Sequence, residues 1–99
     1  MPELLLTLYC SRADAGQIAA ALRDATRHPV HQRDETVYGL DFSDASTAEN
    51  VAGRLQRCAI DVRVEEAAAQ ALIGAVAALQ RTGPVRWRLT PVTASGRIE

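Results

Sequence analysis

Lysine is absent from this chain. All eleven basic residues among the 99 are arginines, set against twelve Asp and Glu, for a formal net charge of −1. A general nucleic-acid binder carries a clear basic excess, so this balance argues against that class and leaves room for no more than a local arginine patch. Long apolar runs are absent too: nothing approaches the roughly 20 residues that span a bilayer. The opening MPELLLTLYCSRADAG has neither a basic leader nor a small-residue cleavage pattern. The expectation is a cytoplasmic protein with no direct membrane insertion. Cysteine is scarce, and Cys10 and Cys58 form neither a CxxC pair nor a dense scaffold, so reduced thiols are expected. No catalytic motif stands out. Ser43, Ser46 and Thr47 lie near Asp44 and Glu49, but that is the composition of any polar loop, and no enzymatic activity is expected.

What is present is one small globular domain, 47% hydrophobic, large enough for a single core. Leu4, Leu6, Leu8 and Cys10 alternate with Leu5, Thr7 and Tyr9, predicting a central strand covered on both faces. Ser11 and Asp14 then give a capping-box pattern, and Ile18, Leu22 and Ala25 repeat at helical spacing until His28-Pro29. Alternation returns over 35–42 and over 56–64. Glu65 and Glu66 favour the start of a second helix, in which Ala69, Leu72, Ile73, Val76 and Leu79 form the apolar stripe and Gly83-Pro84 the stop. Val85, Trp87 and Leu89 against Arg86, Arg88 and Thr90 mark a last strand.

The order β-α-β-β-α-β predicts a ferredoxin-like α+β sandwich: a four-stranded antiparallel sheet with two helices on one face. Its other face would carry Thr7, Tyr9, Asp61, Arg63, Arg86 and Arg88, a set suited to sheet packing between subunits, with arginine and aspartate paired across the contact.

Several short stretches resemble the PII-like superfamily, small trimeric regulators whose second and third strands are joined by an extended T-loop. RTG at 81–83 resembles the start of its phosphate-binding B-loop, TPV at 90–92 the end of its fourth strand, and GRIE at 96–99 its basic C-terminal segment. TAENVAGR at 47–54, with the closing tryptophan, PV and GRIE, is similar to a small PII-like family often encoded beside heavy-metal efflux pumps. The resemblance implies a single PII-like domain over 1–99, with a T-loop-like segment at 43–54 and a tail at 93–99. It also implies a homotrimer that senses a small ligand or metal state and acts, through the 43–54 loop, on a partner such as a membrane transporter component of a metal-efflux system. Typical members continue the B-loop with a glycine-rich GDGK run whose backbone amides hold phosphate; here Pro84-Val85-Arg86 follow, and a nest needs those glycines. That counts against ATP/2-oxoglutarate sensing of the usual kind, and no tyrosine between Ser43 and Arg54 could be uridylylated.

The candidate site residues fall into three sets. For ligand or anion binding they are Arg54, Arg57, Thr82, Gly83, Arg86 and Arg88, since guanidinium groups give planar bidentate contacts to phosphate or carboxylate. The bland reading of these arginines, with Arg81 and Arg97, is salt bridging to Asp61, Glu65 and Glu66 and burial of their stems at a trimer contact. For the partner loop they are Ser46, Thr47, Glu49 and Asn50; with few apolar anchors, that loop would take one conformation when a ligand contacts Arg54 or Arg57. For metal they are His28 and His31, in a helix-to-strand loop with Asp34 or Glu35 close by. The alternative function is a direct divalent or soft metal-binding trimer resembling CutA-type proteins. A nucleotide or a transition metal are the candidate cofactors, and none is required. Cys10 and Cys58 read as core residues; redox or soft-metal chemistry would need exposure and a depressed thiol pKa.

Overall fold

The computed structural model describes residues 2–39 and 53–99. Its elements run β1 (Glu3–Cys10), α1 (Arg12–Thr26), β2 (Val30–Tyr38), β3 (Arg54–Glu65), α2 (Glu66–Ala77) and β4 (Arg86–Pro91). Every pairing is antiparallel, in the order β2-β3-β1-β4. This is the expected ferredoxin-like arrangement.

Strand alternation sends one set of side chains under the helices. Leu6, Leu8, Ile60 and Val62 from the central strands meet Ile18 and Leu22 of α1 and Ala69, Leu72 and Val76 of α2, all buried. Cys10 and Cys58 are register partners at one end of the β1–β3 ladder, and both lie in this core. No helix among the described residues is long and apolar enough to cross a membrane.

The bounds of β2 and α2 differ from the sequence reading, while α1 closes where expected. β2 begins at Val30 rather than Glu35, so His31 sits in a strand and not in a loop. The strand VHQRDETVY lies at the sheet edge, where only one neighbour demands apolar surface, and its polar residues hide the alternation. α1 ends at Thr26, before His28-Pro29. Arg27 takes a left-handed conformation (φ 63°, ψ 11°) and its N–H donates to the Arg23 carbonyl, closing the helix without glycine.

α2 stops at Ala77, well before Gly83. The Ala78 and Leu79 amides fold back onto Gly74 and Val76 carbonyls at 3.1 Å. Ahead of them, the Thr82 and Gly83 amides donate to the Asp14 carboxylate of α1, at 2.8 and 3.3 Å. Those donors serve another element, so the chain leaves the helix path. Ser11 caps α1 as expected by accepting from the Asp14 amide, and its hydroxyl also meets that of Thr82 at 3.1 Å.

The 43–54 segment called T-loop-like lies largely outside the described residues; Ser46, Thr47, Glu49 and Asn50 fall there. Its two ends are defined. Tyr38 pairs with Arg54, and the Gly39 amide donates to the Gly53 carbonyl at 3.1 Å. Gly53 has φ +70°, and a Cβ there would meet the Gly39 carbonyl at 3.4 Å, so glycine suits this closure. Arg54, the last residue of the expected loop, is instead the first residue of β3. Replacing residues 45–52 by a short turn is therefore expected to leave a folded domain. Circular dichroism and the melting temperature check this; an unfolded variant would show that the domain depends on that segment.

Candidate functional site

The sheet face turned away from the helices carries the site. On β1 it receives Leu5, Thr7 and Tyr9, and the register places Arg88 opposite Thr7, Arg86 opposite Tyr9 and Asp61 opposite Thr7 on the other side. On β3 and β2 the same face receives Leu55 opposite Val37, Arg57 opposite Glu35 and Asp61 opposite His31. Alternation and register alone thus bring together side chains from all four strands.

A groove of about 330 Å³ opens there, lined by Tyr9, Glu35, Val37, Leu55, Arg57, Arg86 and Arg88. It lies at the end of the sheet where β2 runs into the 40–52 segment and β3 emerges from it. The lining residues include three guanidinium groups, of Arg57, Arg86 and Arg88, and one carboxylate, of Glu35. The Arg88 guanidinium stands 5.6 Å from the centre of the Tyr9 ring, a cation–π contact that fixes its position while leaving its N–H groups available. Arg57 is only 9% exposed, its stem covered and one terminal nitrogen donating to the Gln56 carbonyl at 2.9 Å. Glu35 is held by Arg33 at 2.9 Å. Val37 and Leu55 give the groove an apolar wall.

Beyond the groove, Thr7 donates to Asp61 Oδ1 at 2.6 Å while Arg33 takes Oδ2. Arg63 pairs with Glu3 at 3.4 Å and donates to the Ser95 hydroxyl at 2.8 Å, which draws the tail over this end of the sheet. Asp61 is thus paired within the chain by Arg33, which lies outside the set of arginines named for that role.

Of the six candidate anion ligands, Arg57, Arg86 and Arg88 converge in the groove. Arg54 does not, because three positions along a strand put it on the opposite face from Arg57. Thr82 and Gly83 are not among the lining residues, and their amides already hold Asp14. Burial raises the Asp14 pKa, but the hydrogen bonds from Thr82, Ser11 and Gly83 outweigh it and hold the carboxyl below its ordinary range. An internal carboxylate thus occupies amides that the PII-like resemblance assigns to phosphate.

His28 and His31 line a second groove, about 360 Å³, with Leu5, Pro29, Asp61, Val62, Arg63 and Arg97. The carboxylates expected beside them are turned elsewhere: Asp34 accepts from the Cys58 thiol at 3.3 Å and lies 3.9 Å from Arg12, and Glu35 pairs with Arg33. Among the described residues no group of three or more His, Cys, Asp or Glu is placed to hold a metal ion. Sequence reasoning missed Glu35, Val37 and Leu55 as groove walls, and it had no signal for them before the β2 register was known.

A search of curated proteins gives no match. Among solved structures, a DUF3240 family protein from Shewanella baltica OS155 aligns with a TM-score of 0.77 at 17% identity, over 98% of this chain and 97% of that one. Arabidopsis thaliana PII bound to citrate aligns with a TM-score of 0.65 at 14% identity, over 92% and 78%. A Bacillus cereus protein related to NIF3 gives 0.69 at 13%, over 97% of this chain but 26% of that one. These likenesses establish a shared fold, which includes that of PII. The sequence itself matches the family described as "Protein of unknown function (DUF3240)" over residues 1–99, and the chain belongs to that family.

Proposed function

We propose that the protein is a PII-like regulator that binds a small anion in the arginine groove and acts on a protein partner through the 43–54 segment. The observation that carries this reading is the position of the groove: Arg57, Arg86 and Arg88 gather at the end of the sheet from which that segment departs. Guanidinium groups prefer planar oxyanions, and the Val37–Leu55 wall excludes water from one side of a bound ligand. The anion class is a polycarboxylate or a phosphate. Citrate, named in the Arabidopsis PII structure, is a suitable first probe. A homotrimer built through the open sheet face, in the cytoplasm, with a metal-efflux component as partner, completes the proposal; the likeness to PII supports the assembly.

Calorimetry with citrate, inorganic phosphate and ATP, beside light scattering for oligomeric mass, tests it. Saturable citrate or phosphate binding is expected, weakened at least tenfold in Arg88→Ser, whose side chain leaves the Tyr9 ring without disturbing the core. No binding by any of the three, or unaltered binding in the variant, would overturn the groove assignment, and a monomer would overturn the assembly.

A second reading, a metal-binding trimer resembling CutA-type proteins, draws on His28 and His31 lining one groove. Two imidazoles need further ligands from a neighbouring copy. Titration with Cu, Zn, Ni and Co separates the readings: stoichiometric heat lost in the double alanine variant supports the metal site, and no heat rejects it.

A further inference from the structure

On the helical side of the sheet, between α2 and β4, lies a cleft that neither the groove nor the fold explains. Its volume is about 140 Å³ and its walls are Leu8, Ile73, Val76, Ala77, Val85 and Trp87, with Arg81 at one side. Apolar cavities of about this size hold a benzene ring. Trp87, the chain's only tryptophan, is 48% exposed beside it.

Arg81 is the second observation. Its terminal nitrogens donate to two neutral carbonyls, Gly83 at 2.9 Å and Ala77 at 3.3 Å. It forms no ion pair among the described residues, and its Nε is sealed from solvent without an acceptor. A buried donor left without a partner is costly, and more so on a charged group. The apolar walls call for a compact hydrocarbon body, and the uncompensated guanidinium calls for a carboxylate.

We propose that this cleft binds a small monocarboxylate with a one-ring or short branched body. Its body would lie against Trp87 and Val76, and its carboxylate would pair with the Arg81 guanidinium at the side of the cleft. The contact from Arg81 to the Ala77 carbonyl is long, at 3.3 Å, and a charge-assisted pair with a carboxylate is the stronger interaction. The site is on the opposite side of the sheet from the arginine groove, and it stands whether or not that groove binds an anion.

Trp87 supplies the reporter. Titration of the full chain with benzoate and with 3-methylbutanoate is expected to give a saturable change in tryptophan fluorescence, and neutral benzamide is expected to give at least tenfold weaker binding. Arg81→Gln should lose at least tenfold in benzoate affinity, and Ala77→Phe, which fills the mouth from an exposed position, should abolish the response. Amide shift mapping on the unaltered protein guards against a variant that fails to fold. Shifts confined to Ile73, Val76, Ala77 and Trp87 support the site. An unsaturable response, equal binding of benzamide, unchanged affinity in Arg81→Gln, or shifts centred on Tyr9 and Arg57 would each overturn it.

Discussion

Replacing Asp14 with alanine is expected to destabilise the domain by about 2–4 kcal/mol at neutral pH. The side chain is 1% exposed and satisfies two backbone amides from a distant loop, Thr82 and Gly83. Alanine would leave both donors without an acceptor and release the 79–85 connection from α1. Asp14→Asn retains one acceptor and loses the charge, so a smaller loss of about 1–2 kcal/mol is expected. The pH dependence follows from the direction of the shift. Because the folded carboxyl titrates below its ordinary range, the charge contributes fully above the unfolded-state value near 4. It is lost as pH falls through the lower folded value. Urea denaturation at pH 7 and pH 3 checks both parts: the gap between the natural chain and Asp14→Asn should narrow in acid. A constant gap would show that the carboxylate acts by shape alone.

The thiols give the second large effect. Burial, then the neighbouring Cys58 and Asp14, push the Cys10 pKa from 9.0 to about 11. At pH 8 its thiolate fraction is then about 100-fold below that of the unperturbed thiol, and the thiolate is the reactive species. Native Cys10 should therefore alkylate at least about 100-fold more slowly than in urea, before steric protection is added. Cys58 is raised by burial and by its hydrogen bond to Asp34. Mass spectrometry of iodoacetamide-treated protein measures both sites. Rapid native labelling of Cys10 would contradict its placement in the core and reopen redox or soft-metal chemistry, for which a depressed pKa and exposure are needed.

How much of this was legible beforehand depended on which neighbours each residue meets. β1 and β3 declare themselves because Leu4, Leu6 and Leu8, and Ile60, Val62 and Val64, must fill one buried face at a period of two. β2 hides because an edge strand needs little apolar surface; only Val30, Glu35 and Val37 are partly covered. The convergence of Arg57, Arg86 and Arg88 follows from strand order plus parity, both accessible from sequence. The same parity rule, applied more strictly, would have removed Arg54. Asp14 was visible only as a cap residue. Its main partners are 68 and 69 positions away, and no local pattern announces a contact of that separation. The early end of α2 was hidden for the same reason, since Gly83 reads as a helix stop until its amide is known to serve another element.

The outer strands have a consequence for how copies of the chain meet. β2 presents Arg33, Asp34 and Glu35 along one rim, and β4 is six residues long and ends at Pro91 along the other. Charge and proline on a rim oppose the addition of another strand, so extension into an open-ended ribbon is disfavoured at both sides. Any contact between copies is thereby directed to the broad surfaces of the sheet, and such an assembly is finite only where the rotation between copies closes. The margins of the domain thus guard it against edge-to-edge growth.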